Sequence, residues 1–449
     1  MKKINPALLI VPILILTAFV SYIPHINYQY PLHVDEWFHI TIAQEVLNGN
    51  KIDLYSGQPF ALGMERLWHL MLAGIFLFVQ PLQAYVFVIM GFSILAVLSV
   101  YIFAKRFGER VALISAFLTA LIPSNVTIGG LSLLVPVNLS LIFIPLALKF
   151  AFDAKTKLQY FMVFLLTAIL LYAHPPSAMV LLILLGIYGV LKIKENKIKA
   201  RNLFIAIFAA VIVSLPNYIS RIAESGIESA SFPFWLFVEQ TPVLFGIIPT
   251  IFFITGFYML TRTKEKENWV LIVALILLLA EIFLFTQISV SFLVPYQRIF
   301  IPMMFIMSVI AAFALAKIKN NILLGILLAV ILVLSVQQHF ATQYYHIIDE
   351  NEFKDISWIR ENTSGGIILA DLWKARPIPT ITGMQVFTVL PFGPVPELLK
   401  INQQAIDFFK NNCTNTTFLK DNNISLIYSP VECNNTDLKR IHNNIYKVL

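Results

Sequence analysis

From residue 6 to residue 337 the chain is a succession of apolar stretches cut by short polar loops, and from Asp349 onward it is polar. About 20 consecutive apolar residues suffice for a helix to cross a bilayer. The pattern predicts spans near residues 6–24, 82–104, 110–124, 131–151, 158–172, 177–193, 202–219, 241–260, 268–287, 298–316 and 320–337. Charge tests that count, because Lys and Arg gather in the short cytoplasmic loops of membrane proteins. With about eleven spans, Lys2 and Lys3 fall on the same side as five basic loops: Lys105 to Arg110, Lys149 to Lys157, Lys192 to Arg201, Arg262 to Lys266, and Lys317 with Lys319. The loops between them are nearly free of Lys and Arg.

The apolar segment Met64–Val79 would break this register if it crossed, placing every basic loop from Lys105 to Lys319 outside. It reads instead as a helix lying in the interface, opened by Glu65-Arg66-Leu67-Trp68-His69. The first exterior loop then runs from about residue 25 to residue 80. Within it Trp37, Ile40, Ala43, Val46 and Leu47 keep helical spacing up to Asn48-Gly49-Asn50, a stop signal. Two interfacial helices with carboxylates at their starts would face each other across a groove. No internal repeat appears, and the first span, lacking a small-residue cleavage site, reads as an uncleaved anchor.

The division expected is a transmembrane domain over 1–340 and an extracytoplasmic α/β domain over 341–449. The second should hold helices at Glu352–Glu361 and Pro396–Asn411 and a strand at Gly366–Ala370. Strands at Ile424–Ser429 and Tyr446–Leu449 should flank a last short helix. The only cysteines, Cys413 and Cys433, lie there, with sequons at Asn362, Asn412, Asn415, Asn423 and Asn434. An exterior, oxidising location suits a Cys413–Cys433 bridge; two free thiols are the alternative, and Asn-rich composition alone could produce the sequons.

Composition agrees with the class: 58% hydrophobic and 13% charged residues exclude a soluble domain of this length. The net charge of +7 does not point to nucleic acid, since cytoplasmic loops account for most basic residues before the exterior domain. The fold class is therefore a polytopic α-helical membrane protein with a small C-terminal α/β domain, its N-terminus cytoplasmic and the bilayer the plasma membrane.

Candidate chemistry concentrates in His33-Val34-Asp35-Glu36-Trp37-Phe38-His39, just after the first span. Two acids beside Trp37 can bind a polar group or accept a proton at a lipid surface. A solvated loop start would look the same. This segment, in a long first exterior loop with two interfacial helices behind an N-terminal span, resembles the GT-C class of membrane glycosyltransferases, which includes protein O-mannosyltransferases, aminoarabinose transferases and oligosaccharyltransferase catalytic subunits. The similarity extends to Val100–Phe107 at the end of the second span and to Trp358-Ile359-Arg360-Glu361-Asn362-Thr363, as in archaeal members.

The resemblance implies Asp35 as catalytic base, Glu36 as its neighbour and Glu65 as a second acid; Glu65 could instead pair with Arg66 or His69. It implies hexosyl or pentosyl transfer from a polyprenyl-phosphate donor, with a protein or glycan as acceptor. A phosphate leaving group gathers negative charge, which requires donors on the exterior face. Arg298 in Pro295-Tyr296-Gln297-Arg298 meets that need, with snorkelling as its plainer role. His174, ahead of Pro175 and Pro176, would be exposed at a span end and could donate to phosphate or sugar, although such a histidine also serves structurally. Glu281, inside a span, should have a partner or be neutral.

Asp35 and His39 are four apart with His33 near, a spacing that could also hold a divalent metal. Metal-dependent oligosaccharyltransferases carry acids in the second exterior loop, whereas Pro123–Leu134 has none here. In place of their Trp-Trp-Asp-Tyr-Gly motif stands Asp371-Leu372-Trp373-Lys374. A metal-free transferase is the leading expectation. An oligosaccharyltransferase and a non-enzymatic lipid or glycan transporter are the rivals, the latter opposed by the lack of pseudo-symmetric halves.

Overall fold

The computed structural model describes residues 6–49, 54–55, 65–219, 244–288, 294, 296–388 and 396–449. Lys2, Lys3, Asn50, Met64, Pro295 and positions 241–243 of an expected span lie outside the described residues. The chain forms two compact units. One comprises Met1–Gln29, Met64–Trp68 and Ala84–Gln343; the other comprises Tyr30–Gly63, His69–Gln83 and Tyr344–Leu449. The expected boundary near residue 340 is thus only part of the division, because most of the first exterior loop groups with the C-terminal residues.

The first unit is helical. Helices at Ile10–Tyr22, Pro81–Ala104, Glu109–Ala120, Leu139–Asp153, Lys157–Ala173, Pro175–Ile193, Lys197–Ser214, Ile247–Thr261, Lys266–Ile288, Phe300–Leu315 and Asn321–Ala341 occupy the segments read as spans. Among the described residues six stretches are long and apolar enough to cross a membrane: Pro81–Phe107, Pro136–Asp153, Pro175–Ile193, Lys266–Gln287, Gln297–Leu315 and Asn321–Ala341. The Phe300–Leu315 helix is the core of the unit, with nearly every residue buried. It packs closely against Ile247–Thr261: a Cβ added at Gly256 would stand 2.0 Å from the carbonyl oxygen of Ile310, so the glycine permits the approach. The outer surface is apolar, with Ile15, Phe87, Phe208, Ile254 and Val333 exposed, as lipid contact favours.

Polar loops meet at one end of this unit. Arg106 pairs with Asp153 and, at 3.3 Å, with Glu267. Lys192 pairs with Glu195 at 2.8 Å and reaches Glu267 at 3.7 Å, Lys149 bonds Asp153 at 3.2 Å, and Arg110 donates to the carbonyl of Ile318. Such pairs stabilise little. Their value is topological, since they gather on one side the basic loops expected to share a side. One expectation changes in this unit and another is met. The predicted 131–151 span becomes α-helix only at Leu139, after the 3-10 turn Pro136–Asn138, and the Asn138 side chain bonds the carbonyls of Gly130 and Leu133 in the buried chain ahead of it. Glu281 is buried and accepts the Val294 backbone N–H at 3.3 Å, which accounts for a carboxylate inside an apolar helix.

In the second unit, five strands, β1 (Ile367–Ala370), β2 (Gln385–Val386), β3 (Ile424–Tyr428), β4 (Leu438–His442) and β5 (Ile445–Val448), form one sheet in the order β2-β1-β3-β5-β4. β1 runs parallel to β2 and β3, and β5 antiparallel to β3 and β4. The segment before the last strand is therefore a strand and not the expected short helix. Asn443-Asn444 closes a hairpin, a turn signal that outweighs the weak apolar spacing of 438–442. The short helix Thr416–Asp421 lies earlier, ahead of β3.

Cys413 and Cys433 are bonded and buried in the core formed by Leu369, Phe408, Phe418, Ile427 and Tyr446. The bridge closes a separation of 20 residues, so Cys413→Ser should cost about 3 kcal/mol. Hydrogen exchange across β3 to β5 would show it as lost protection, and unchanged protection would mean the bridge carries no stability. At the β2 edge of the sheet, Tyr55 pairs with Val386 in a parallel bridge, and the Val386 N–H donates to Leu54 O at 2.9 Å. The first loop thereby covers an edge that would otherwise be open.

Candidate functional site

His33 stands in extended conformation and caps the Val34–Leu47 helix, its Nδ1 accepting the Asp35 N–H at 3.1 Å. Glu36 closes a capping box by accepting the N–H groups of Leu32 at 2.8 Å and His33 at 2.9 Å. The acidic pair thus divides its labour. Glu36 is fully buried and occupied by capping, whereas the Asp35 side chain keeps 14% exposure. Asp35 Oδ2 approaches His33 Nδ1 to 3.5 Å, but that nitrogen is already an acceptor, so the contact is not an ion pair.

Trp37 and His39 are both buried. Trp37 is fully buried, and His39 Nδ1 meets His69 Nε2 of the Arg66–Phe76 helix at 3.0 Å, both rings buried. The Val34–Leu47 helix buries most of its circumference, which is why these candidates turn inward. Asp35, His33 and His39 are not grouped as possible metal ligands among the described residues, whereas His39 and His69 are close enough to share one ion. His39 and His69 together offer two nitrogen donors, which a metal would have to supplement. The interfacial helices therefore touch directly at this pair rather than standing apart across a groove. The Arg66–Phe76 helix, of 11 residues, is one of the shorter apolar helices.

A residue that the sequence did not single out completes this cluster. Arg376, 1% exposed, lays its guanidinium over the rings of Phe38, at 5.3 Å, and Tyr55, at 5.4 Å. Burial lowers its hold on the proton, while Tyr55 and the charge of Asp35 oppose that shift. The Tyr55 hydroxyl, itself raised chiefly by burial, donates to the Arg376 carbonyl at 3.0 Å. Thr380 bonds Thr41 at 2.6 Å and donates to the Trp37 carbonyl at 3.2 Å, tying the Pro377–Thr382 helix to the helix that carries Asp35. A carboxylate, a buried cation and a rigid aromatic frame make a site able to take a proton beside a fixed positive charge.

The first unit gathers the remaining candidates. His174 caps the Pro175–Ile193 helix, with Nδ1 accepting the Ser177 N–H at 3.3 Å and lying 2.6 Å from Ser177 Oγ. Its imidazole is 1% exposed and not presented to solvent as expected, because capping turns the ring inward. Burial, then the nearby charge of Arg298, lower its proton affinity well below the ordinary histidine value. The 3.7 Å approach of Nε2 to Glu65 Oε1 therefore sets a neutral ring against a carboxylate rather than forming a salt bridge. Glu65, His174 and Arg298 thus share one neighbourhood, while Asp35, His33 and Arg376 share another.

The architecture has solved counterparts. ArnT from Cupriavidus metallidurans bound to undecaprenyl phosphate superposes with TM-score 0.63 over 97% of each chain at 12% identity. The chain has the GT-C fold. The apo form of that ArnT gives TM-score 0.62 at 13% identity, covering 95% of this chain and 94% of the other. The Archaeoglobus fulgidus oligosaccharyltransferase in complex with Zn and sulfate gives 0.59 at 12% identity, covering 92% of this chain and 67% of the other. No family model and no curated relative matches the sequence.

Proposed function

We propose that this GT-C protein is a membrane glycosyltransferase that moves a sugar, with inversion, from a polyprenyl-phosphate donor to an acceptor on the exterior face of the membrane. The observation that carries the reading is Asp35, a partly exposed carboxylate in the first turn of a buried helix beside Arg376, within a fold shared with ArnT over 97% of the chain. An acceptor hydroxyl is a poor nucleophile until a base takes its proton, and Asp35 supplies that base. Arg298 binds the departing phosphate, with neutral His174 and Glu65 shaping its surroundings. The chain crosses the membrane eleven times, with the Arg106–Glu267 ion cluster cytoplasmic and the C-terminal unit outside. Sugar release from radiolabelled polyprenyl-phosphate monosaccharides by purified protein in lipid tests the reading, and absence of release from every donor would refute it.

Two further results are expected. Arg298→Ala should weaken polyprenyl-phosphate binding about ten- to a hundredfold, the loss of one charge-assisted contact, and unchanged affinity would remove the anchor. The reading requires no divalent metal, since the Pro123–Leu134 loop offers no acidic ligand. Turnover should survive a chelator, and its loss on chelation with recovery on adding metal would favour an oligosaccharyltransferase-type mechanism.

A further inference from the structure

Next to Asp35 the surface of the second unit is aromatic. His33 packs against Tyr345 with ring centroids 5.3 Å apart, and Tyr345 packs against Trp373 at 5.1 Å in an edge-on arrangement. The run starts at the residue whose Nδ1 binds the Asp35 backbone and ends in two large exposed rings, Tyr345 at 43% and Trp373 at 42%. Neither the phenol hydroxyl nor the indole N–H has a hydrogen-bond partner among the described residues.

The rings are nevertheless held. The Trp373 N–H donates to Asp371 Oδ1 at 2.9 Å and the Ala375 N–H to the Asp371 carbonyl at 2.8 Å, fixing a turn. The Tyr345 N–H donates to the Leu32 carbonyl at 3.2 Å, and Lys374 bonds the Ile347 carbonyl at 2.6 Å and Glu352 at 2.6 Å. Rings fixed before binding lose little freedom when a ligand settles on them. Beside Trp373 the Asp371 carboxylate is exposed.

Exposed rings beside a carboxylate match a saccharide: its C–H face packs on an aromatic surface, and its hydroxyls donate to a carboxylate and accept from an indole N–H. A polypeptide adding to the sheet would dock on an edge strand, whereas Trp373 follows the inner strand β1 and Tyr345 precedes the Glu350–Asn362 helix. We propose that Tyr345 and Trp373 form a platform for a saccharide unit of the acceptor, so that the acceptor is a glycan rather than a polypeptide. This rests on Asp35 being the base of a transferase, since it is adjacency to Asp35 that makes the platform an acceptor site.

The test is binding of soluble hexose and N-acetylhexosamine oligosaccharides to the full-length protein in lipid nanodiscs, followed by ligand-observed NMR. At least one should bind. Trp373→Ala and Tyr345→Ala should each weaken it about tenfold, with Trp373→Phe retaining most of the affinity and the thermal unfolding midpoint reporting the fold. Failure of every oligosaccharide to bind, or equal binding by Trp373→Ala, overturns the platform. So does a loss caused by Trp358→Ala instead, or a Trp373-dependent affinity for serine- and threonine-containing peptides or for anionic vesicles. Donor turnover surviving in Asp35→Asn while oligosaccharide binding still depends on Trp373 would sink the base assignment and leave the saccharide site standing.

Discussion

If the proposed reading holds, replacing Asp35 with Asn should lower sugar transfer by about a hundred- to ten-thousandfold, the range over which a positioned general base contributes. The substitution keeps size and shape, and the Asp35 backbone still donates to His33, so the helix start and its capping box survive. What disappears is the acceptor for the proton and the negative charge facing Arg376. Donor binding should be little changed, since the phosphate is assigned to Arg298. Single-turnover transfer from a labelled donor, alongside equilibrium donor binding, separates the two effects. Glu36→Gln makes the contrasting case. Its carboxylate is buried and accepts two backbone N–H groups, so that variant should lose stability before it loses chemistry. If Asp35→Asn turns over at the wild-type rate, the base lies elsewhere, and Glu65 is the next carboxylate to test.

The helices of the first unit were legible in the sequence because lipid demands an unbroken apolar surface, and the count of charges per loop then orders them. Burial within the first loop could not be read. The Val34–Leu47 helix has no clear polar stripe and buries most of its circumference, so periodicity could not tell that Trp37 and His39 are buried while Asp35 keeps some exposure. His174 carries a usable signal: a residue ahead of two prolines stands where a helix cap stands. Arg376 carried none. It lies 321 residues from Tyr55, and no local pattern marks a long-range partner of that kind.

That partner yields the other large effect. Arg376→Ala should destabilise the second unit by about 3–5 kcal/mol, because it leaves a void between Phe38 and Tyr55 and removes the cation that faces Asp35 in a buried setting. Arg376→Lys keeps the charge but not the flat group that stacks on two rings, so it should fold with an intermediate loss and still transfer poorly. Hydrogen exchange in the Val34–Leu47 and Pro377–Thr382 helices is the readout, because the Thr41–Thr380 bond joins them and both should open together. A double-mutant cycle sharpens the argument. If Arg376 acts on the Asp35 charge, Asp35→Asn with Arg376→Ala will cost less stability than the two single losses added, since a neutral amide needs no cation beside it. Additive losses would instead mean that Arg376 serves only to fill space between the rings, and the charge at the site of the candidate base would have to be balanced by another group.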